Sequence, residues 1–243
     1  MSVLAVIPAR FKSTRFPGKP LADIAGRPMI AWVWDQAKKA KEVDNCVVAT
    51  DDSRIEDYCR AHGMDVIMTS DAHATGSDRL AEVASKIEAD FYVNVQGDEP
   101  LIDPNAIDAV VRLLRESKSR GIEVSTGYIE RVDDKELDNP SVVQMTPTLD
   151  GCVMAISRYP IPYPMGEKMQ RTQHIGLYAF TRAALARYAA WERGPVERAE
   201  SIELLRFLEH GERVACVPVA PGSIGVDHPA DAERVAAIIR GRS

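Results

Sequence analysis

The chain has 243 residues, a formal net charge of −6 and 45% hydrophobic residues, a size that can bury one sizeable α/β core. Its acidic balance excludes bulk attraction to nucleic acid or anionic lipid. The four cysteines are scattered without close metal-type pairs, which favours buried thiols and a reducing compartment. The apolar run 3–7 is too short for a signal peptide, and no run approaches the roughly 20 residues of a membrane span. We therefore expect a soluble cytoplasmic protein with neither nucleic acid nor membrane as partner.

The first predicted element is a buried strand that ends in a basic loop. Its apolar run stops at Pro8, which cannot continue a central ladder. The loop then combines four cations with two hydroxyls: Arg10, Lys12, Ser13, Thr14, Arg15 and Lys19. Such donors at the carboxyl end of a strand suit a polyanion such as a triphosphate. The alternative is a solvated basic loop.

Strand and helix patterns alternate through the first half of the chain. Helices are predicted from Pro28 and after caps at Ser53, Ser77 and Asp103. Strands are predicted at 46–49, 66–68 and 91–95. This βαβα order predicts an α/β fold with a doubly wound, mostly parallel sheet.

The second half changes character. Val142–Met145 and Cys152–Ile156 flank Asp150-Gly151, a plausible hairpin turn. Further predicted elements are a strand at 175–180, helices at 183–191 and 197–208, a strand at 214–219 and a closing helix at 231–239. We predict a single domain over 1–243, with an antiparallel insertion at roughly 123–181 that forms a lid or a dimer contact.

Two aspartates are candidate metal ligands. Asp98 follows a strand and Gly97, and a carboxylate that faces a triphosphate is a natural Mg²⁺ ligand. The alternative role for Asp98 is to cap a helix near Pro100. Asp227 follows a loop rich in Gly and Pro, and it is either a second metal ligand or the N-cap of the last helix.

Other polar residues have both a binding and a structural interpretation. The segment 76–79 opens a helix and can hold a phosphate or a base edge, or it can form a simple cap. Arg158 can clamp a carboxylate, whereas an isolated His174 more often makes a structural hydrogen bond. Glu200 and Glu203 lie one turn apart on the predicted helix, so they form a solvated face unless burial forces Glu203 to find a partner.

Motifs of several common enzyme classes are absent. The chain contains neither G-x-G-x-x-G nor the Walker A motif, and it lacks G-x-S-x-G and H-E-x-x-H. Dinucleotide-dependent hydride transfer, P-loop ATP hydrolysis, serine hydrolysis and zinc proteolysis therefore lose their main support.

Several motifs together resemble one family. They are Ile7-Pro8-Ala9-Arg10, Ser13-Thr14-Arg15, Pro17-Gly18-Lys19-Pro20-Leu21, Gly76-Ser77-Asp78-Arg79, Asn94-Val95-Gln96-Gly97-Asp98-Glu99-Pro100, Ser157-Arg158, His174-Ile175-Gly176-Leu177-Tyr178 and Val226-Asp227. The sequence is similar nearly end to end to the CMP-Kdo synthetases, the 3-deoxy-manno-octulosonate (Kdo) cytidylyltransferases. The resemblance implies a nucleotide-diphospho-sugar transferase-like α/β fold, a homodimer, CTP as donor, an acidic small-molecule acceptor and Mg²⁺ as cofactor.

The resemblance also implies roles for individual residues. Nucleotide binding would fall to Arg10, Ser13, Lys19, Ser77, Arg79 and Gln96, and magnesium binding to Asp98 and Asp227. The acceptor would face Gln96, Arg158, His174, Tyr178, Glu200 and Glu203. Arg10, Lys19 and Asp98 would be catalytic, as an acceptor oxygen attacks the α-phosphorus of CTP and pyrophosphate leaves.

Departures from the family pattern concern the acceptor half. Leu204 replaces a glutamine, Gln144 replaces a lysine, and Tyr163-Pro164-Met165-Gly166 replaces an acidic and arginine-containing segment that Lys168 or Arg171 would have to compensate. Loss of a polar pairing group can change specificity by up to about 10⁴–10⁵-fold. The acceptor is therefore open between Kdo, or a close analogue such as its 8-amino form, and a small phosphonate acid. A nucleotide-binding module without catalysis and a pyrophosphorylase using UTP or GTP are alternatives of other classes.

Overall fold

The computed structural model describes residues 1–13, 15–130, 139–163, 165–167, 169–222 and 224–242. The predicted loop hydroxyl of Thr14, Pro164 of the altered segment and the compensating cation Lys168 lie outside these residues. Part of the predicted insertion, 131–138, does so as well.

Strands and helices alternate in the first half as the sequence predicts, but the first strand continues through Pro8 to Ala9 instead of stopping at Pro8. The strands are β1 (Val3–Ala9), β2 (Asp23–Ile24), β3 (Arg27–Pro28), β4 (Asn45–Thr50), β5 (Val66–Met68), β6 (Phe91–Val95), β7 (Val124–Ile129), β8 (Gln144–Pro147), β9 (Val153–Ser157), β10 (Thr172–Thr181) and β11 (Ala215–Pro218). The helices are α1 (Met29–Lys39), α2 (Ser53–Ala61), α3 (Gly76–Lys86), α4 (Pro104–Ser117), α5 (Arg182–Ala190), α6 (Pro195–Glu200), α7 (Leu205–Glu209) and α8 (Pro229–Arg242).

In the described part of the chain, nine strands form one mixed sheet. Its main path runs β11-β7-β10-β6-β1-β4-β5, and β8 and β9 extend from β10. Strand β1 is parallel to β4 and β6, whereas β10 is antiparallel to β6 and β7. The predicted hairpin is confirmed, since β8 and β9 pair antiparallel. The predicted insertion thus contains the β8–β9 hairpin, while β7 and β10 lie on the main path of the sheet.

Helices cover both faces of the sheet because its central strands are apolar on both sides. On one face, Val3, Ala5 and Ile7 of β1 pack in a core with α1, α2 and α4. On the other face, Leu4 and Val6 pack in a core with α3, α5 and α7. Helix α8 packs with β2 in a smaller cluster. No helix in the described ranges is long and apolar enough to cross a membrane.

Two predicted helix caps are wrong. Asp52, not Ser53, caps α2 by accepting a hydrogen bond from the Arg54 N–H. Thr75, not Ser77, caps α3, where Thr75 and Asp78 form a reciprocal capping box. The predicted Asp103 cap of α4 is confirmed. Local sequence offers several capping oxygens at each helix start, so tertiary contacts decide which one is used.

The single helix predicted over 197–208 is also wrong. Helices α6 and α7 are separate because Ser201 adopts a left-handed conformation, with φ 53° and ψ 46°. The break places Glu200 at the end of α6 and Glu203 in the turn before α7. These two glutamates consequently make different contacts.

Candidate active site

A pocket of about 400 Å³ lies beyond the carboxyl ends of β1 and β6, where ligands bind in open α/β sheets. Its walls come from the loop after β1, the start of α3, the turn after β6 and the segment before α8. The predicted site residues that line it are Arg10, Ser13, Lys19, Arg79, Gln96, Asp98, Glu203 and Asp227. The structure therefore brings both candidate metal ligands and all of the candidate donor-binding residues except Ser77 into one cavity.

Asp98 and Asp227 meet around one ammonium group. Lys19 Nζ donates a hydrogen bond to Asp98 Oδ2 at 2.7 Å and lies 3.6 Å from Asp227 Oδ1. Arg15 Nη2 lies 2.9 Å from the same Asp227 oxygen. Asp227 was also a candidate N-cap of α8. At the start of that helix, however, the carboxylate of Asp231 accepts hydrogen bonds from the Asp227 and His228 N–H groups. Asp227 thus faces the pocket cations.

This carboxylate pair suits magnesium better than a metal that needs a full protein cage. Within the described residues, no three or more His, Cys, Asp or Glu side chains form a metal-binding group. Mg²⁺ is usually held by one or two carboxylates together with substrate phosphates. Asp98 and Asp227 fit that donor set when a nucleotide supplies the remaining oxygens.

The opening loop also places its other predicted contacts at the pocket. Arg10 Nη1 lies 3.5 Å from the carbonyl oxygen of Ala74. Ser13 Oγ accepts a hydrogen bond from the Phe16 N–H at 3.3 Å. The side chains of Arg10 and Ser13 remain at the pocket wall, where they can reach an anionic ligand.

The start of α3 holds a carboxylate from the chain itself. Glu203 accepts hydrogen bonds from the N–H groups of Gly76 and Ser77, each at 3.0 Å, and from the Ser77 hydroxyl. Burial raises the pKa of Glu203, whereas these hydrogen bonds oppose the rise. The donors that the sequence offers for a phosphate are therefore directed at Glu203, and Ser77 is absent from the pocket lining.

Arg79 is held rigidly at the pocket. Its side chain is buried, lies 3.2 Å from Asp51 Oδ2 and donates a hydrogen bond to Thr69 Oγ1. Burial lowers the Arg79 pKa, and the neighbouring Asp51 carboxylate opposes this shift. Asp51 and Thr69 thus hold the guanidinium at the pocket wall.

Gly97 allows the turn after β6 to approach β1. A Cβ at this position would lie 2.5 Å from the carbonyl oxygen of Pro8. Since that backbone must move, Gly97→Ala is expected to lower the free energy of unfolding by about 1–3 kcal/mol. Urea denaturation measures the effect, with Gly166→Ala as the control because a Cβ there contacts nothing within 4 Å. Equal stabilities of the two variants would contradict this role.

Arg158 and Glu200 lie outside the pocket lining. The Glu200 carboxylate accepts hydrogen bonds from Ser157 Oγ at 2.7 Å and from the Arg158 N–H at 2.8 Å. The Arg158 guanidinium donates to the carbonyl oxygens of Glu200 and Pro140, both at 2.6 Å. These contacts connect β9 to the end of α6, and a role in acceptor binding stays a prediction for both residues.

His174 and Tyr178 are buried on β10, and their rings stack with centroids 5.5 Å apart. Nε2 of His174 has no hydrogen-bond partner among the described residues. Burial and the nearby Arg158 cation lower the His174 pKa to about 3, so the imidazole is neutral at pH 7. Burial raises the Tyr178 pKa, so its phenol is protonated.

The low His174 pKa predicts an acid-sensitive fold. The unfolded chain protonates this histidine near its usual pKa of 6.5, whereas the folded chain does so near 3. Stability is therefore unaffected above pH 6.5 and falls by about 1.4 kcal/mol per pH unit below it, until the folded pKa is reached. Urea unfolding at pH 7 and pH 5 should show a smaller acid loss for His174→Gln than for the unchanged chain. The same loss in both would contradict the prediction.

Two further positions differ from the sequence analysis. The family has glutamine at the position of Leu204, and that glutamine was expected to contact the acceptor. Leu204 is 1% exposed and packs in the apolar core on the α3 side of the sheet. Thr75 lines the pocket without having been predicted as a site residue. The sequence signal for Thr75 is the capping box Thr-x-x-Asp before an apolar helix, which identifies it as the N-cap of the helix that begins at the pocket.

Comparison with known proteins agrees with this geometry. The sequence model described as cytidylyltransferase matches residues 4–214. The 3-deoxy-manno-octulosonate cytidylyltransferase of Syntrophotalea carbinolica is 43% identical over 251 residues, covering 99% of this chain and 100% of the relative. That of Geobacter sulfurreducens is 43% identical over 247 residues, covering 97% and 98%.

Solved structures give the same result. A CMP:2-keto-3-deoxy-manno-octonic acid synthetase complexed with CTP superposes with a TM-score of 0.95, at 38% identity and 100% coverage of both chains. The 4-diphosphocytidyl-2C-methyl-D-erythritol synthase of Anaerococcus prevotii shares the fold at 14% identity and a TM-score of 0.65, covering 98% of this chain and 96% of the other. On full-length sequence similarity, the chain belongs to the 3-deoxy-manno-octulosonate cytidylyltransferase family.

Proposed function

We propose that this chain transfers CMP from CTP to Kdo and releases pyrophosphate. The observation that carries the proposal is the pocket in which Lys19 lies between Asp98 and Asp227, with Arg10 on the wall. Relatives that match over nearly their full length are named for this reaction. A similar solved structure is named as a complex with CTP.

The pocket residues have different roles in the proposed transfer of CMP. Arg10 and Lys19 are cations that neutralise the triphosphate and the pyrophosphate as it leaves. Asp98 and Asp227 would hold Mg²⁺, which when bound would polarise the phosphate oxygens of CTP and lower the pKa of the acceptor hydroxyl. Arg79, which contacts Asp51, would orient the cytidine part, and Gln96 lines the same pocket and would face both donor and acceptor.

Kdo is favoured over a small phosphonate acid. The phosphonate alternative was opened by three departures from the family pattern, and one of these, the replacement of glutamine by Leu204, places its side chain in the apolar core. The full-length relatives are named for 3-deoxy-manno-octulosonate. The burial of Leu204 therefore gives the phosphonate alternative no support at this position.

A pyrophosphate-release assay tests the acceptor directly. The purified chain is given CTP and Mg²⁺ with Kdo, 8-amino-8-deoxy-Kdo, a sialic acid or a small phosphonate, and UTP or GTP replaces CTP in parallel. The expected result is release with CTP and a Kdo-type acid. Release with the phosphonate alone would support the alternative, and binding of CTP without release would indicate a binding module.

The exposed apolar side chains near the β8–β9 hairpin support a homodimer. Leu149, Met154, Tyr159, Tyr163 and Met165 fall within 17 residues of sequence and are all more than half exposed, and exposed apolar surface of this kind can form an interface. Light scattering should give twice the 26.8 kDa chain mass, and the double variant Met165→Glu with Tyr163→Glu should give the mass of the monomer.

The four buried free cysteines support a reducing, cytoplasmic compartment.

A further inference from the structure

Arg15 is not among the residues assigned above to the proposed reaction, yet its guanidinium contacts Asp227, one of the two candidate metal ligands. Its Nη2 lies 2.9 Å from Asp227 Oδ1, while Lys19 Nζ lies 2.7 Å from Asp98 Oδ2 and 3.6 Å from Asp227 Oδ1. We propose that Arg15 and Lys19 are exchangeable counter-cations. They pair with the two carboxylates in the nucleotide-free protein, and they turn to the triphosphate when the nucleotide binds.

The geometry explains why such cations are needed. Asp98 and Asp227 face one pocket, and two carboxylates that share a site repel each other unless cations lie between them. Lys19 contacts both, and Arg15 adds a second positive charge at Asp227. A divalent cation would bind the same carboxylate oxygens. Arg15 and Lys19 therefore supply the positive charge that the metal would otherwise supply to these carboxylates.

The exposure of Arg15 and Asp227 makes the exchange of Arg15 feasible. The side chain of Arg15 is 56% exposed and that of Asp227 is 32% exposed, and ion pairs of this kind are weak. Arg15 lies on the same loop as Arg10 and lines the same pocket. A triphosphate in that pocket carries more negative charge than one carboxylate and can compete for the guanidinium.

This arrangement couples metal binding to nucleotide binding. The inference rests on the proposed function, because it requires a triphosphate in the pocket. The nucleotide removes the cations from the carboxylates, which frees their oxygens for the metal. By linkage the metal must favour the nucleotide equally, and such couplings typically amount to about 5–150-fold in affinity.

A metal titration without nucleotide tests the exchange. Mn²⁺ serves as the probe, and the free ion is counted by its electron paramagnetic resonance signal. Arg15→Gln should bind Mn²⁺ at least about fivefold more tightly than the unchanged chain. Arg10→Gln is the matched control, because it removes the same charge from the same loop while its side chain contacts the Ala74 carbonyl oxygen.

The conservative variant and the partner variant sharpen the test. Arg15→Lys should restore weak Mn²⁺ binding, and Arg15→Gln should have no effect in an Asp227→Asn background. Equal Mn²⁺ affinities for Arg15→Gln and Arg10→Gln would overturn the exchange. Calorimetry of CTP binding to the unchanged chain tests the proposed function separately. Absence of CTP binding would overturn the proposed function, whereas the Mn²⁺ titration is made without nucleotide and tests the role of Arg15.

Discussion

Replacement of Asp98 by asparagine is expected to lower kcat by about 10²–10³-fold, the range seen when one preorganised electrostatic contact is removed from a transition state. The amide keeps the size of the carboxylate but loses its negative charge. It therefore weakens metal binding and releases Lys19 from its 2.7 Å contact. Steady-state pyrophosphate release with CTP and Kdo at saturating Mg²⁺ measures the effect.

A matched variant separates this local effect from a general loss of charge. Asp57 is exposed on α2 and lies outside the pocket, so Asp57→Asn should leave kcat unchanged. Thermal unfolding of Asp98→Asn should resemble that of the unchanged chain, because Asp98 is partly exposed. Full activity of Asp98→Asn would remove Asp98 from the metal site.

The largest expected effect on stability comes from Arg206. This guanidinium is 2% exposed, donates two hydrogen bonds of 2.8 Å to the Glu197 carboxylate and one of 2.9 Å to Asp78. Glu197 is fully buried. Since Arg206→Met leaves that charge without its main partner, it is expected to lower the free energy of unfolding by about 3–5 kcal/mol.

Urea denaturation of two related variants tests this explanation. Arg193 also contacts Glu197, at 3.1 Å, but it is partly exposed, so Arg193→Met should cost less than about 1 kcal/mol. Combining Arg206→Met with Glu197→Leu should recover much of the loss, because the unpaired buried charge disappears. A double variant as unstable as Arg206→Met would show that packing, not charge, causes the effect.

The sequence predicted well those elements whose signal is local. The apolar runs that form β5 and β6 have the predicted bounds, and Asp103 caps α4 as expected. The pocket also follows from the sequence, because polar residues after β1 and β6 must meet at one edge of a parallel sheet. Lys19 and Asp98 were therefore predictable as neighbours, whereas the sequence pattern left Asp227 open between metal ligand and helix cap, and its metal role came only from the family resemblance.

Features that depend on distant contacts were not predictable in this way. Glu203 binds the start of α3 although 126 residues separate it from Ser77, so the local pattern at Ser77 could not show that its hydroxyl was already engaged. The break at Ser201 interrupts an apolar spacing that continues into α7. Likewise, the burial of Leu204 depends on how that break turns the chain.

The most direct test of the proposed reaction is ³¹P nuclear magnetic resonance of the purified chain with CTP, Kdo and Mg²⁺. The proposed function predicts that the three CTP signals disappear while one CMP phosphodiester signal and one pyrophosphate signal appear in equal molar amounts. It also predicts no change when Kdo is omitted. Formation of CDP and inorganic phosphate, or unchanged CTP in the complete mixture, would contradict cytidylyl transfer at this pocket.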